Sequence, residues 1–240
     1  MTKKLDSTFA YFLVFYGPVE ARPDFSDWFE SGPNEAFAGL DGLLAYDLYT
    51  PEVSHDPYLD DGPGPLAMVQ LYFPDLATLE KALASPAFPA AAARCENAPV
   101  EGLSAVHEAM KAQYFPVEGQ SAATPLPEGP SCSYVVRYHR PAEDEAKFVA
   151  HYVKYHPPIL GEFPNIRNVM CYLPIDWNDP LGVPRADYML GNEVVFDTID
   201  DLNASMRSDV RHKLRDDYKT FPPFSGSNTH YAMLRQRIAG

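Results

Sequence analysis

Short apolar runs, each closed by Pro, Gly or Asp, divide the chain into two similar series of elements. β-rich runs predict strands at 9–16, about 43–49, 67–73 and 105–113, with helical periodicity at about 24–31 and 76–83. The second series predicts strands at 134–139, about 168–173, 188–196 and 228–235, with helices at about 143–155 and 199–206. In each series the order is strand-helix-strand, strand-helix-strand. Between the second and third strands lie long loops rich in Pro, Asp and Gly, 50–65 and 174–186. Two readings stay open for them: a lid over a pocket, or a segment that closes the barrel by packing on the other series.

The two series run in register at a constant shift of 123 residues. The run Ala10–Tyr16 matches Ser133–His139, Phe25 matches Phe148, and Phe29 matches Tyr152. Asp56-Pro57 matches Asp179-Pro180, Phe73 matches Phe196, His107 matches His230 and Met110 matches Met233. This reads as an internal duplication: a first repeat over 1–113, a linker over 114–131 containing Gly119, Pro125, Pro127, Gly129 and Pro130, and a second repeat over 132–240. The element order is that of a split βαβ, ferredoxin-like unit. A four-stranded sheet with helices on one face must cover its other face. The expected fold is therefore α+β, two ferredoxin-like repeats packed sheet to sheet as an intramolecular α+β barrel. A monomer or a homodimer is compatible with it.

Composition narrows the function classes. The 240 residues are 46% hydrophobic and 13% aromatic, enough for a packed core, and carry a formal charge of −14. So acidic a chain repels phosphate backbones, which argues against nucleic acid as a partner. The three cysteines, Cys95, Cys132 and Cys171, form no CxxC pair, so small buried hydrophobes in a reducing cytoplasm are expected. Lys3 and Lys4 before the apolar run at 9–16 imitate a signal peptide, but Asp6 interrupts and no small-residue cleavage site follows. No stretch is long enough to span a bilayer as an apolar helix. Walker, GxGxxG, HExxH and GxSxG patterns are absent, so the sequence points to no nucleotide cofactor and no metal.

The first helix of each series separates the two. At about 100° per residue, Phe148, His151, Tyr152 and Tyr155 share one stripe, with His156 at its edge. Pro157 disfavours helical geometry at His156, so the helix is expected to end there. At the matching positions the first series has Phe25, Trp28, Phe29, Gly32 and Pro33. An apolar stripe suffices for packing, whereas histidines and tyrosine hydroxyls need partners or a wet pocket. The site is therefore expected in the second repeat.

The stretch Tyr138-His139-Arg140-Pro141, then Phe148, Tyr152, His156-Pro157 and Phe163-Pro164-Asn165-Ile166, resembles the EthD-like family of the dimeric α+β barrel superfamily. The shared pattern is a strand ending near Arg-Pro, a helix with Phe, an aromatic and a His before Pro, and a Pro-Gly-like turn; Asn165 stands where Gly is common. The resemblance covers most of the second repeat and reaches the first only through the duplication. It implies a barrel fold, a pocket between sheet and helices, and a superfamily that includes cofactor-free monooxygenases, polyketide cyclases, isomerases and haem enzymes.

His156, at the family's histidine position, is the leading candidate for general acid/base work, with His230 and His139 as further candidates. Tyr138, His151, Tyr152, Tyr155, Trp177 and Asn192 are the expected substrate contacts. Only one of Tyr138 and His139, and one of Asn192 and Glu193, can face the helices. The expected function is a cofactor-independent enzyme using histidine acid/base chemistry on a small apolar or aromatic, polyketide-like molecule, of isomerase, cyclase, lyase or monooxygenase type. The alternative is a non-catalytic protein that binds such a molecule.

Overall fold

The structure is a computed structural model, and it describes residues 8–120 and 126–240; Lys3, Lys4, Asp6 and Pro125 lie outside them. The first half contains β1 (Phe9–Tyr16), α1 (Arg22–Glu30), α2 (Pro33–Ala38), β2 (Ala45–Pro51), β3 (Ala67–Phe73), α3 (Leu76–Leu83), α4 (Ala90–Ala93) and β4 (Ser104–Phe115). The second contains β5 (Ser131–His139), α5 (Glu145–Leu160), β6 (Ile166–Pro174), β7 (Tyr188–Phe196), α6 (Ile199–Met206), α7 (Asp209–Tyr218) and β8 (Asn228–Ala239).

All eight strands close into one antiparallel barrel in the order β1-β3-β2-β8-β5-β7-β6-β4. The two four-stranded halves join edge to edge, β2 pairing with β8 and β4 with β6. Closure removes the exposed edges that an open sheet would present. Because strand side chains alternate, each strand feeds two cores. Tyr11, Leu13 and Phe15 of β1 pack outward under the first-half helices, while Ala10, Phe12 and Val14 point into the barrel. On β5, Tyr134, Val136 and Tyr138 pack outward under the second-half helices, and Val135 points inward.

The barrel interior is not purely apolar. Glu193 accepts hydrogen bonds from Tyr49 and Ser133 at one carboxylate oxygen and from Tyr172 at the other. Asp47 takes a two-bond contact from Arg235, at 2.9 Å each, and further bonds from Arg237. Asp47 is thus buried but ion-paired, and Glu193 is buried but hydrogen-bonded at both oxygens, the conditions for tolerating such groups. The inner face predicted from apolar runs is thus partly a hydrogen-bonded polar network.

Asp75, Asp144 and Thr198 cap α3, α5 and α6 by accepting from backbone N–H groups three residues on. The structure adds the short helices α2 and α4 to the expected elements, and departs from the sequence expectations in three further places. Helix α5 does not stop at His156 but continues through Pro157 and Pro158 to Leu160. The missing proline donors fall in the last turn, Gly161 N–H bonds back to Pro157, and His156, Pro157 and Leu160 gain burial against the sheet. Second, β4 and β5 extend into the expected linker: β4 runs to Phe115 because its end pairs with β6 of the other half, and β5 starts at Ser131, which pairs with Arg235 of β8. Third, α7 was not anticipated: Asp209–Tyr218 is strongly charged, and only Val210, Arg211 and Leu214 are buried.

Candidate active site

The outer face of β5, β7 and β8, roofed by α5 and α7, encloses a cavity of about 80 Å³. Its floor is Tyr134, Val136 and Tyr138 of β5, Asn192 and Val194 of β7, and Asn228 and His230 of β8. Strand alternation puts these side chains on one face, since Val136 pairs with His230 and Tyr138 with Asn228. Helix α5 contributes Tyr152, His156 and Leu160, and α7 contributes Arg211, Leu214, Arg215 and Tyr218. The rim is closed by Leu59, which comes from the long first-half loop.

His156 Nδ1 lies 2.7 Å from Asp217 Oδ2, with both side chains nearly buried. A carboxylate oxygen accepts, so the shared proton sits on Nδ1, and Nε2 is left with a lone pair. That nitrogen has no hydrogen-bond partner among the described residues. Burial lowers the pKa of His156 below the ordinary histidine value, and Asp217 partly offsets this. The imidazole is therefore neutral at neutral pH, and one face of it is packed by Tyr152 and Phe221. A neutral imidazole held in this tautomer by a carboxylate presents a base to the cavity.

The surrounding hydroxyls are donors. Burial pushes the phenols of Tyr138 and Tyr152 well above the usual range, so both keep their protons. They interact with one another, and Tyr138 also with Asn228. Asn192 donates to the Met170 carbonyl, which fixes its amide. His230 donates from Nδ1 to Asp61 Oδ2 at 2.8 Å, and its backbone N–H donates to the same oxygen. That pairing, chiefly the His230 hydrogen bond, holds the Asp61 carboxyl below its ordinary pKa.

A second polar cluster lies at the rim. Arg211 grips Asp56 with two bonds, Nε to Oδ2 and Nη2 to Oδ1, each 2.9 Å. Tyr134 donates its hydroxyl to Asp56 Oδ2 at 3.0 Å. Asp56 belongs to the loop that supplies Leu59, so the first half closes the cavity of the second.

Of the residues singled out from sequence, the fold gathers His156, His230, Tyr138, Tyr152 and Asn192 around one cavity. Others lie elsewhere. His139 sits at the end of β5, paired with the exposed Asp187 and packed on Tyr188, because alternation gives the helix-facing side to Tyr138. His151 bonds Thr220 on the outside of α5, and Tyr155 is 45% exposed. The α5 stripe is centred on Phe148, Tyr152 and His156, which leaves both at its flank. Glu193 faces the barrel interior. Trp177 lies in the core of the other half, against Tyr11 and His107, because its loop crosses over the barrel. Sequence reasoning missed Asp217, Arg211, Tyr134 and Asn228. The signal for the α7 pair was the Val210/Leu214 spacing, which marks a buried face beside Arg211 and Asp217.

Among the described residues no cluster of three or more His, Cys, Asp or Glu suited to a metal is present, and no helix is long and apolar enough to cross a membrane. No family model matches the sequence, and no curated protein does either. Solved structures do resemble it. An anthrone oxidase-like protein aligns over 100% of this chain and 96% of its own, at 10% identity and a TM-score of 0.63. A protein assigned as a candidate monooxygenase of Fusobacterium nucleatum subsp. nucleatum ATCC 25586 aligns over 98% and 96%, at 9% identity and a TM-score of 0.56. An EthD family protein of Bacillus halodurans C-125 aligns with 41% of this chain and 96% of its own, at 21% identity and a TM-score of 0.33, an overlap that adds nothing to the fold assignment. At such identities the first two likenesses show the fold alone: a mixed α+β protein with an eight-stranded antiparallel barrel, as in the dimeric α+β barrel proteins.

Proposed function

We propose that this protein is a cofactor-independent enzyme that removes a proton from a small, largely apolar or aromatic molecule, with His156 as base and Asp217 as the residue that orients it. The observation that carries this is the unpartnered Nε2 of a buried, neutral His156 facing a cavity, with Nδ1 tied to Asp217. Nε2 takes the proton from an acidic C–H or O–H, and the electron pair stays on the substrate as an enolate or phenolate. The Tyr138 hydroxyl, which accepts from Tyr152 and keeps its own proton, supplies a donor for that oxyanion. The anion then collapses by reprotonation, ring closure or elimination, or it is oxidised by dioxygen. The names of the anthrone oxidase-like and monooxygenase-assigned neighbours favour the oxidative outcome. His230, on the same face, is the second candidate for proton transfer.

We also read the chain as two fused ferredoxin-like units that arose by duplication, with a site kept only in the second. The strand order supports this, each half contributing its strands as fourth, first, third and second around the barrel. The second reading of the site, a non-catalytic binding protein, is favoured by the Arg211 and Tyr134 cluster, which needs no chemistry to hold a ligand.

Anthrone, whose methylene is acidic, is a suitable probe. In anaerobic D2O the protein is expected to speed deuterium uptake at that methylene, and His156→Gln to abolish the acceleration. No acceleration by the unaltered protein, or full acceleration by the variant, removes the assignment.

A further inference from the structure

The cavity is already occupied in part by the chain itself, and the occupant describes the ligand. The loop that follows β2 reaches across from the first half: Leu59 lines the cavity, and Asp56 binds Arg211 and Tyr134, two residues of the cavity wall. The Asp56 side chain is 2% exposed, an unusual depth for a carboxylate on a surface loop. It lies in a cradle of three donors: the Nε and Nη2 groups of Arg211 at 2.9 Å and the Tyr134 hydroxyl at 3.0 Å. Arg211 is itself 8% exposed. A planar guanidinium fork matches a carboxylate or a phosphate bidentately, and here the group it holds is a carboxylate with an apolar wall beside it. The cradle belongs wholly to the second half, while its occupant comes from a loop that is otherwise largely exposed and touches this site chiefly through polar contacts. Beside the cradle, Leu59, Leu214 and Met206 contribute apolar side chains to the cavity wall.

We propose that the ligand of this cavity is a carboxylic acid with an apolar, ring-bearing body, and that Asp56 and Leu59 hold its place until it displaces the loop. The carboxylate takes the Asp56 position on Arg211 and Tyr134, and the body takes the space of Leu59 and the adjoining cavity, within reach of His156. Displacing this loop also enlarges the cavity, of about 80 Å³ with the loop in place. The inference rests on the proposed function only in taking the same cavity as the binding site, and it specifies the substrate class.

Titration calorimetry with naphthalene-1-carboxylate and its neutral isostere naphthalene-1-carboxamide tests this. The unaltered protein is expected to bind the acid at least about tenfold more tightly than the amide, in line with charge-assisted hydrogen bonds. Asp56→Asn removes the internal competitor and is expected to tighten the acid about tenfold further while leaving the amide unchanged. Arg211→Gln is expected to erase the preference for the acid, and Tyr134→Phe to reduce it. Inorganic phosphate is expected not to compete. Equal binding of acid and amide by both the unaltered protein and Asp56→Asn, no binding of either, or equal competition by phosphate overturns the inference. The Asp56→Asn arm does not depend on Arg211→Gln remaining folded. Failure here with anthrone exchange intact sinks only the carboxylate assignment, and acid selectivity without any exchange sinks only the proton-transfer reading.

Discussion

The two halves present the same strands and helices to very different ends. In the first half, rings fill the space between sheet and helices: Phe25 stacks on Phe29, Phe29 on Phe37, and Phe88 wedges between Tyr11 and Phe37. In the second half the positions 123 residues further on hold other chemistry: Arg211 for Phe88, His156 for Pro33, Asn192 for Val69 and Asn228 for Ala105. The histidines differ likewise. His107 is fully buried with both nitrogens used, Nδ1 accepting from Tyr11 and Nε2 donating to Asp179. His156 lines a cavity and uses one nitrogen, leaving the other without a partner among the described residues. The crossing loops follow the same division. The 174–186 loop is fastened to the first half by buried Trp177, Leu181 and Val183 and by the Trp177 bond to Glu108. Its counterpart, 50–65, is held on the second half mainly by Asp56, Asp61 and the Tyr58 contact with His212. One loop is part of a core and the other is a latch. A repeated architecture can thus commit one half to packing and release the other for binding.

The sharpest way to break this comparison is to exchange one histidine at a time. His156→Gln is expected to lower proton-exchange turnover by about 10²–10⁴-fold while the fold persists. His107→Gln should leave turnover within about twofold but cost roughly 2–3 kcal/mol in urea unfolding, because Tyr11 and Asp179 lose a buried partner. The loops offer the next contrast. Trp177→Ala is expected to destabilise by about 3–5 kcal/mol through a core cavity, and Leu59→Ala by under about 1 kcal/mol. Equal losses would mean that both loops serve the same purpose.

Acid sharpens the comparison further. Burial lowers the pKa of both His107 and His156 in the folded state, against the opposing carboxylates. A depressed folded value stabilises the fold above the unfolded value of about 6.5, and that contribution is lost as pH falls through the folded value. The free energy of urea unfolding should therefore drop below about pH 6.5, by up to about 1.4 kcal/mol per pH unit for each histidine. His107→Gln should remove part of the slope. The smallest expected effect is in hydrogen exchange: backbone amides of 50–65 should exchange faster than those of 174–186.

Much of this was readable in advance. Helix period put Tyr152 on the buried stripe with His156 at its edge, and alternation reduced the strand choices to Tyr138 or His139 and Asn192 or Glu193. The fold decides these for Tyr138 and Asn192, and puts His151 and Tyr155 at the flank of the stripe. What could not be read locally depends on crossing the barrel. Asp56 and Leu59 reach the second half from the first, and Trp177 reaches the first from the second, so the loop's own sequence neighbours misled its assignment. Asp217 and Arg211 lie on a helix whose charge masks its narrow apolar stripe. The continuation of α5 past His156 reflects tertiary burial outweighing the local bias before proline.

The state of the His156 ring itself is the most direct test. In protein carrying 15N-histidine, with the signal assigned through His156→Gln, the account predicts the Nδ1–H tautomer at neutral pH. It predicts a titration midpoint below about 6.5, moved lower still in Asp217→Asn, where the carboxylate that supports the cation is gone. An Nε2–H tautomer, or a midpoint above 6.5 that ignores Asp217, would contradict it.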